Sequence, residues 1–265
     1  MSLIKQGFSL LRIKCVYKQV CLTLCSVSLW LVCLVAAWLA WSQVDFLYSS
    51  WYRVLGIDQT IATYAPENRF GKESFYMASR QEHYRLFSRI VDSVNNQGND
   101  LENIHYQLAT PLGQIGHYPL LTPAEIIHLQ DVARLVAMLF PLGGLALLVF
   151  AASVFQVYRQ GWLLPSLRRQ LLVALFAFAA VGGLVVLLGV QEVFYWLHVQ
   201  VFPAEHQWFF YYQDSLMSTL MQAPNLFAPI AMIWLCLAMF LWVVGMLWLV
   251  RWQRCWNSWS GKKNA

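Results

Sequence analysis

The chain has 265 residues, of which 59% are hydrophobic and 12% charged, and its formal net charge is +5. A water-soluble domain carries about 25% charged residues, roughly twice this share. The composition therefore excludes an ordinary soluble globular enzyme and predicts an all-α polytopic membrane protein with a single membrane domain.

Four apolar stretches are each long enough to cross a bilayer as a helix. They cover residues 20–41, 132–157, 171–197 and 225–250. Residues 43–131 then form a small, mostly helical extracytoplasmic cap between the first two spans, and residues 198–224 form a second external loop. Within the cap, the apolar residues of Ser79–Val94 repeat with helical spacing, which predicts an amphipathic helix.

Acidic and basic residues are separated along the chain. All thirteen acids lie in residues 45–131 and 192–214, whereas residues 1–44, 158–170 and 251–265 contain bases and no acid. Basic loops remain in the cytoplasm. We therefore predict that both termini are cytoplasmic and that the acidic regions are external. A basic tail that binds nucleic acid is disfavoured because the bases adjoin apolar spans.

The second span begins at a stretch with a clear helix-start pattern, Leu121–Arg134. Thr122 is placed to cap the helix, and Glu125 occupies the acidic position of a capping box. Polar residues then recur every third position as Glu125, His128, Asp131 and Arg134. Ionisable groups at the mouth of a membrane span are functional candidates.

His128 and His198 are the leading catalytic candidates. Glu125 or Asp131, about one turn away, can orient one nitrogen of His128 and free the other for proton transfer. His198 ends the predicted third span where His128 begins the second, so antiparallel spans would bring both histidines to one depth. They could then act as base and acid in acyl transfer. A structural histidine in the first turn of the helix is the alternative for His128.

A metal site is the second possibility for this pair. It would need a third ligand from Glu125, Asp131, Glu192 or His206. The sequence contains no H-E-x-x-H motif, so we rank metal ligation below acyl transfer and expect neither a metal nor another cofactor. The sequence also lacks the G-x-S-x-G context of a nucleophilic serine, which indicates that the substrate supplies the nucleophile.

The remaining histidines lie in predicted external regions. In the sequence Glu82-His83-Tyr84-Arg85, the side chains of Glu82 and Arg85 could orient His83 or bind a lipid phosphate, and a solvated helix face is at least an equal alternative. We interpret the others as ordinary loop histidines; they are His105, His117 and His206.

Three stretches resemble the motifs of one bacterial integral membrane family. Residues 123–132, PAEIIHLQDV, resemble its E-x-x-H-[ML]-x-D-V signature. Trp196-Leu197-His198 with Phe202 resembles a later F-H-x-x-x-F element, and residues 214–227 resemble its D-x-L-I…P…F stretch. This family includes the lipoprotein intramolecular transacylases of Gram-positive bacteria.

The resemblance implies a function. In the transacylases, an active site open to the outer leaflet moves an acyl chain from the glyceryl sn-2 position of a diacylglyceryl-modified cysteine to the amino group of that cysteine. By this resemblance His128 and His198 are the acid/base pair and Asp131 orients them, in a bacterial inner membrane. The partner is a diacylglyceryl-modified lipoprotein or a phospholipid. Candidate substrate-binding residues are Glu125, Arg85, His83, Asp214 and Trp208.

Three features depart from the family, and the first is that Leu197-His198 stands at the position of its F-H pair. The external segment is longer than in the transacylases, and Glu205-His206-Gln207-Trp208 stands where they have an asparagine or aspartate followed by an aromatic residue. A sister branch with another substrate is therefore possible. The alternative function is a non-catalytic membrane protein of the cell envelope that binds a lipid or a partner.

Overall fold

The computed structural model describes residues 2–109 and 114–263, with side chains for 13–109, 114–189 and 191–255. Its helices are α1 (Ser2–Ser42), α2 (Tyr48–Val54), α3 (Ile57–Tyr64), α4 (Arg80–Asn95), α5 (Pro123–Arg159), α6 (Leu167–Leu188), α7 (Val190–Val201), α8 (Leu216–Met221) and α9 (Phe227–Lys263). Its strands are β1 (His105–Ala109) and β2 (Ile115–Pro119).

Four of the described helices are long and apolar enough to cross a membrane. The candidate spans are Ile13–Ser42, Pro123–Arg159, Leu167–Leu188 and Phe227–Cys255. Large apolar side chains are exposed along them, as a lipid-facing surface requires. The predicted all-α architecture with four membrane-spanning helices is confirmed.

The third span is shorter than we predicted. We expected one helix to Leu197, but α6 ends at Leu188 and a separate helix, α7, begins at Val190. Gly189 between them has φ +89°, which interrupts a right-handed helix and favours glycine. His198 therefore lies on α7 and not at the end of the membrane span.

The chain forms two compact units. The helical unit contains the chain up to Ala37, Pro141–Leu187 and the chain from Leu235, and the cap unit contains Trp38–Phe140 and Leu188–Trp234. Our expectation of a single membrane domain stays a prediction. All candidate site residues lie in the cap unit.

The helical unit packs α1 against α5 and α9. A Cβ on Gly143 would lie 2.9 Å from a methyl carbon of Val35, so glycine permits a close approach of α5 to α1. The buried side chains of its core are Cys25, Leu29, Cys33, Trp242, Met246 and Leu249.

The cap unit contains the predicted amphipathic helix as α4. Ser79 caps it by accepting a hydrogen bond from the Glu82 amide at 3.2 Å. The ring of Phe87 on α4 stacks on Tyr48 of α2 with centroids 3.9 Å apart. The Tyr48 hydroxyl in turn donates to the Leu220 carbonyl at 2.6 Å, which joins α2 to α8. Beside α4, β1 and β2 form an antiparallel hairpin.

Candidate active site

Glu125 joins the start of α5 to the start of α8. The capping box is present: the Glu125 amide donates to Thr122 Oγ1, and the Glu125 carboxylate accepts from the Thr122 amide. The same carboxylate accepts from the Ser215 hydroxyl and from the Met217 amide. Glu125 has 0% exposure. Burial and three donors give Glu125 a structural role, which corrects the expectation that it binds substrate.

His128 and His198 pack against the same aromatic ring. The centroid of the Phe202 ring lies 4.9 Å from that of His128 and 5.3 Å from that of His198. The two imidazoles also interact electrostatically, so a positive charge on one disfavours a charge on the other. The cap unit therefore brings together the two histidines that the sequence pairs, although α7 is not part of the membrane span.

Further aromatic rings surround the pair. Trp208 lies 4.9 Å from His198, and Phe210 lies 5.8 Å from His128, both between ring centroids. Trp208 is thus beside His198, and its contact with a substrate stays a prediction.

The environment of His198 determines its tautomer. His198 Nδ1 lies 2.7 Å from the carbonyl oxygen of Phe194, one helical turn earlier. A carbonyl only accepts hydrogen bonds, so Nδ1 carries the proton, and Nε2 of the neutral ring has the free lone pair. His128 differs, because its Nδ1 is buried without a hydrogen-bond partner. A neutral His198 can therefore accept a proton at Nε2.

Asp131 does not orient His128 as we expected. Asp131 Oδ1 lies 2.7 Å from Arg134 Nη1, and Asp131 Oδ2 lies 2.6 Å from His206 Nδ1. Both carboxylate oxygens are thus engaged with other side chains. Asp131 faces the loop after α7, and His206 reaches it from that loop.

His206 is the functional candidate that sequence reasoning missed. We interpreted it as an ordinary loop histidine, but it is joined to the buried Asp131 one turn from His128. The available signal was its position in Glu205-His206-Gln207-Trp208, the stretch that departs from the family motif. Periodicity within α5 contains no information about a partner 75 residues away.

Arg85 and Glu82 join α4 to the hairpin. Arg85 binds both Glu82 oxygens, at 2.8 and 2.6 Å, and donates to the His105 carbonyl at 2.7 Å. Burial by itself raises the pKa of the Glu82 carboxyl. The hydrogen bonds from Arg85 and from the Gln107 amide, together with the positive charge of Arg85, have a larger combined effect, so this pKa lies below its usual value. Arg85 also lines a cavity of about 360 Å³ with Arg89. Its main contacts are structural.

His83 is a core residue of the cap unit. It is 3% exposed, and its Nδ1 lies 2.8 Å from the Tyr52 hydroxyl. Burial raises the pKa of Tyr52 to about 12 and lowers the pKa of His83 to about 4. A buried, neutral imidazole does not present a charge to a lipid phosphate, so both the lipid-binding and the solvated-face interpretations of His83 are wrong.

Asp214 pairs with Arg69 across the surface of the cap unit at 3.2 Å. The side chain of Arg69 is 66% exposed, and that of Asp214 is 26% exposed. Exposed ion pairs stabilise by about 0–1 kcal/mol. The carboxylate of Asp214 is therefore only weakly held.

A metal-binding arrangement is not found in the part of the chain that the structure describes. There, no three histidine, cysteine, aspartate or glutamate side chains are close enough to hold a metal ion. Glu125 and Asp131, two of the proposed third ligands, are occupied by the contacts above.

Four candidate membrane spans, together with two partly buried imidazoles on one aromatic ring, define a polytopic helical membrane protein with a candidate site in its cap unit. A family model described as "Lipoprotein intramolecular transacylase Lit" matches residues 21–224. The chain therefore belongs to the Lit lipoprotein intramolecular transacylase family and is a multi-pass bacterial membrane protein.

Solved structures share this fold. One is the membrane-integral lipoprotein intramolecular transacylase Lit from Bacillus cereus with a histidine-to-arginine mutation, at 15% identity and a TM-score of 0.65, covering 96% of this chain and 99% of that one. A second, with a histidine-to-alanine mutation, has 14% identity and a TM-score of 0.61 over the same shares of both chains. No curated protein matches this sequence.

Proposed function

We propose that the chain is a membrane acyltransferase that acts on diacylglyceryl-modified lipoproteins, with His128 and His198 as its acid/base pair. The observation that carries this proposal is the packing of both imidazoles on Phe202, with Nδ1 of His198 fixed by the Phe194 carbonyl. The family match supports the substrate class.

The proposed reaction balances without a second substrate. The amino nitrogen of the lipoprotein cysteine attacks the sn-2 ester carbonyl, so a C–N bond forms and the bond from the acyl carbon to the sn-2 oxygen breaks. The Nε2 of His198 accepts the proton that the amine loses. The protonated His198 passes this proton to His128, and His128 donates it to the leaving sn-2 oxygen, so both rings return to their neutral state.

Aromatic side chains around the pair fit an acyl substrate. Phe202, Trp208 and Phe210 border the two imidazoles. Such a wall excludes water, which strengthens the electrostatic stabilisation of the charged intermediate and limits competing hydrolysis of the ester.

The charge distribution supports an inner-membrane topology. All thirteen acids lie in residues 45–131 and 192–214, so we assign these regions to the external face and both termini to the cytoplasm. Alkaline phosphatase inserted at Gln97–Asp100 should be active, and a phosphatase fused to the C-terminus should be inactive. The reverse pattern would overturn this topology.

The activity is tested by expressing the chain in bacteria that lack lipoprotein N-acylation. Mass spectrometry of a model lipoprotein should show one acyl chain on the cysteine nitrogen and one remaining on the glyceryl group. His128→Ala and His198→Ala should each lower product by at least about a hundredfold, since general acid–base catalysis contributes that much.

His105→Ala is the matched control. His105 lies on β1 and bonds only the Asn103 carbonyl through its ring, so its variant should retain activity. Full activity of either His128→Ala or His198→Ala would refute the pairing. A wild-type chain that binds the lipoprotein and leaves it unchanged would support the non-catalytic alternative.

A further inference from the structure

The helical unit contains a cavity of about 500 Å³ bordered by α1, α6 and α9. Its lining changes from polar to apolar along the helices. One end is lined by Gln19, Arg169 and Gln170, and the other by Trp30, Phe178 and Val181. A cavity with one polar end and a long apolar part has the polarity of a lipid molecule.

The length of the cavity matches one leaflet. Arg169 and Val181 are twelve residues apart on α6, which corresponds to about 18 Å along a helix. Half of a hydrocarbon core of about 30 Å is of similar size. Ala174 and Ala177 line the middle of this path, and their small side chains leave the space that an acyl chain would fill.

Two of the polar wall groups near Arg169, the side chains of Gln170 and Trp242, are already paired. Gln170 accepts a hydrogen bond from the Ser26 hydroxyl at 3.0 Å and donates to the Pro165 carbonyl at 3.0 Å. Trp242 donates its indole N–H to the Ser26 carbonyl at 3.0 Å. The guanidinium of Arg169 is the charged group in the cavity lining, and it is suited to bind an anion.

No aspartate or glutamate of the sequence belongs to the helical unit. All thirteen acids lie in residues 45–131 and 192–214, which are part of the cap unit. The counter-charge for Arg169 must therefore come from outside this unit. At a membrane surface, the phosphate groups of lipids are the abundant anions, and arginine binds them with charge-assisted hydrogen bonds.

We propose that this cavity binds one membrane glycerophospholipid, with its phosphate on Arg169 and one acyl chain along Ala174, Ala177 and Phe178. This site is independent of the catalytic proposal, whose residues all lie in the cap unit. The bound lipid would fill the gap between α1 and α6 in the leaflet on the basic side of the membrane.

The test is native mass spectrometry of the purified full chain with added phosphatidylglycerol. The wild-type chain should retain one phosphatidylglycerol, and Arg169→Gln should weaken retention by roughly tenfold, the effect of one charge-assisted contact. Arg168→Gln is the matched control, because this neighbouring arginine does not line the cavity. Arg169→Lys should retain most of the binding.

A second pair of variants tests the apolar part. Ala177→Phe fills the cavity and should also weaken retention about tenfold, whereas Ala179→Phe alters an exposed position of α6 outside the lining. Diacylglycerol, which lacks the phosphate, should bind the wild-type chain about as weakly as phosphatidylglycerol binds Arg169→Gln. Equal losses for Arg169→Gln and Arg168→Gln, or unchanged binding by Ala177→Phe, would overturn the proposal.

Discussion

His206 Nδ1 lies 2.6 Å from the Oδ2 oxygen of Asp131, a buried residue one turn from His128. Arg134 binds the other oxygen of the same carboxylate. This arrangement fixes the loop that follows α7 to the first turns of α5. Through that loop, His206 can position the aromatic wall around the two catalytic candidates.

We therefore expect His206→Ala to lower the rate of N-acylation by roughly tenfold, because a hydrogen bond to a charged group contributes about 1.5–3 kcal/mol. His206→Asn should retain most activity, since its side-chain amide can donate from a similar position. The ratio of N-acylated to unmodified lipoprotein, followed over time by mass spectrometry, measures both. His117→Ala on β2 is the control. If Asn fails to rescue, His206 acts through its imidazole chemistry and not by positioning.

Phe202 is expected to set the geometry of His128 and His198. Phe202→Ala should lower the acylation rate by about a hundredfold, since a displacement of about 1 Å in a catalytic group has that effect. Phe209→Ala is the matched control, because its ring contacts are with Tyr195, Trp208 and Tyr211 and not with the two candidate histidines. Similar activities for the two variants would contradict the role of Phe202.

Glu125 should be important for stability. Glu125→Ala leaves the Thr122 amide, the Met217 amide and the Ser215 hydroxyl without their acceptor. Each unsatisfied buried donor costs about 1–3 kcal/mol, so the free energy of unfolding should fall by at least about 2 kcal/mol. Thermal unfolding in detergent measures this. Glu102→Ala, at an exposed position, should change it little; equal effects would show that the buried contacts contribute nothing.

His83 should make the stability of the protein depend on pH. The pKa of the buried ring is about 4, against about 6.5 in the unfolded chain. Between these values the unfolded state binds more protons, so stability falls as the pH decreases from about 6.5 to about 4. The total loss from this ring is about 3 kcal/mol.

The measurement is the thermal unfolding midpoint of wild type and His83→Gln at pH 7 and pH 5. His83→Gln should lower the midpoint at pH 7, because the contact with Tyr52 changes. Between pH 7 and pH 5 its midpoint should fall by less than that of the wild type, because glutamine does not titrate. If both chains lose equal stability between pH 7 and pH 5, His83 is not the titrating group.

Several elements could be predicted because they depend on local physics. Hydropathy and length alone identify the four spans. The capping box from Thr122 to Glu125 involves residues three apart, and its two hydrogen bonds are present. The helix around residues 80–95 follows from its apolar spacing and from Ser79 as its cap. The break at Gly189 was missed because apolar residues resume at Val193 after Gln191 and Glu192.

The contacts between distant residues could not be predicted in this way. Glu82 and His83 lie in a polar stretch that is typical of a solvated helix face, yet both are buried. Their hydrogen-bond partners come from elsewhere in the chain, from β1 for Glu82 and from α2 for His83. Asp131 binds His206 and Glu125 binds Ser215 across 75 and 90 residues. Such partners have no signature in periodicity or charge.

The sequence by itself determined the membrane class, the four spans and the charge asymmetry, because hydropathy and charge are read from a few neighbouring residues. The pairing of His128 with His198 as acid and base stays a prediction. Only the tertiary structure decided that His198 lies on a separate helix, that both histidines share the Phe202 ring, and that Asp131 binds His206. The physical reason is that a side chain finds its hydrogen-bond partner after packing, and packing brings together residues from distant parts of the chain.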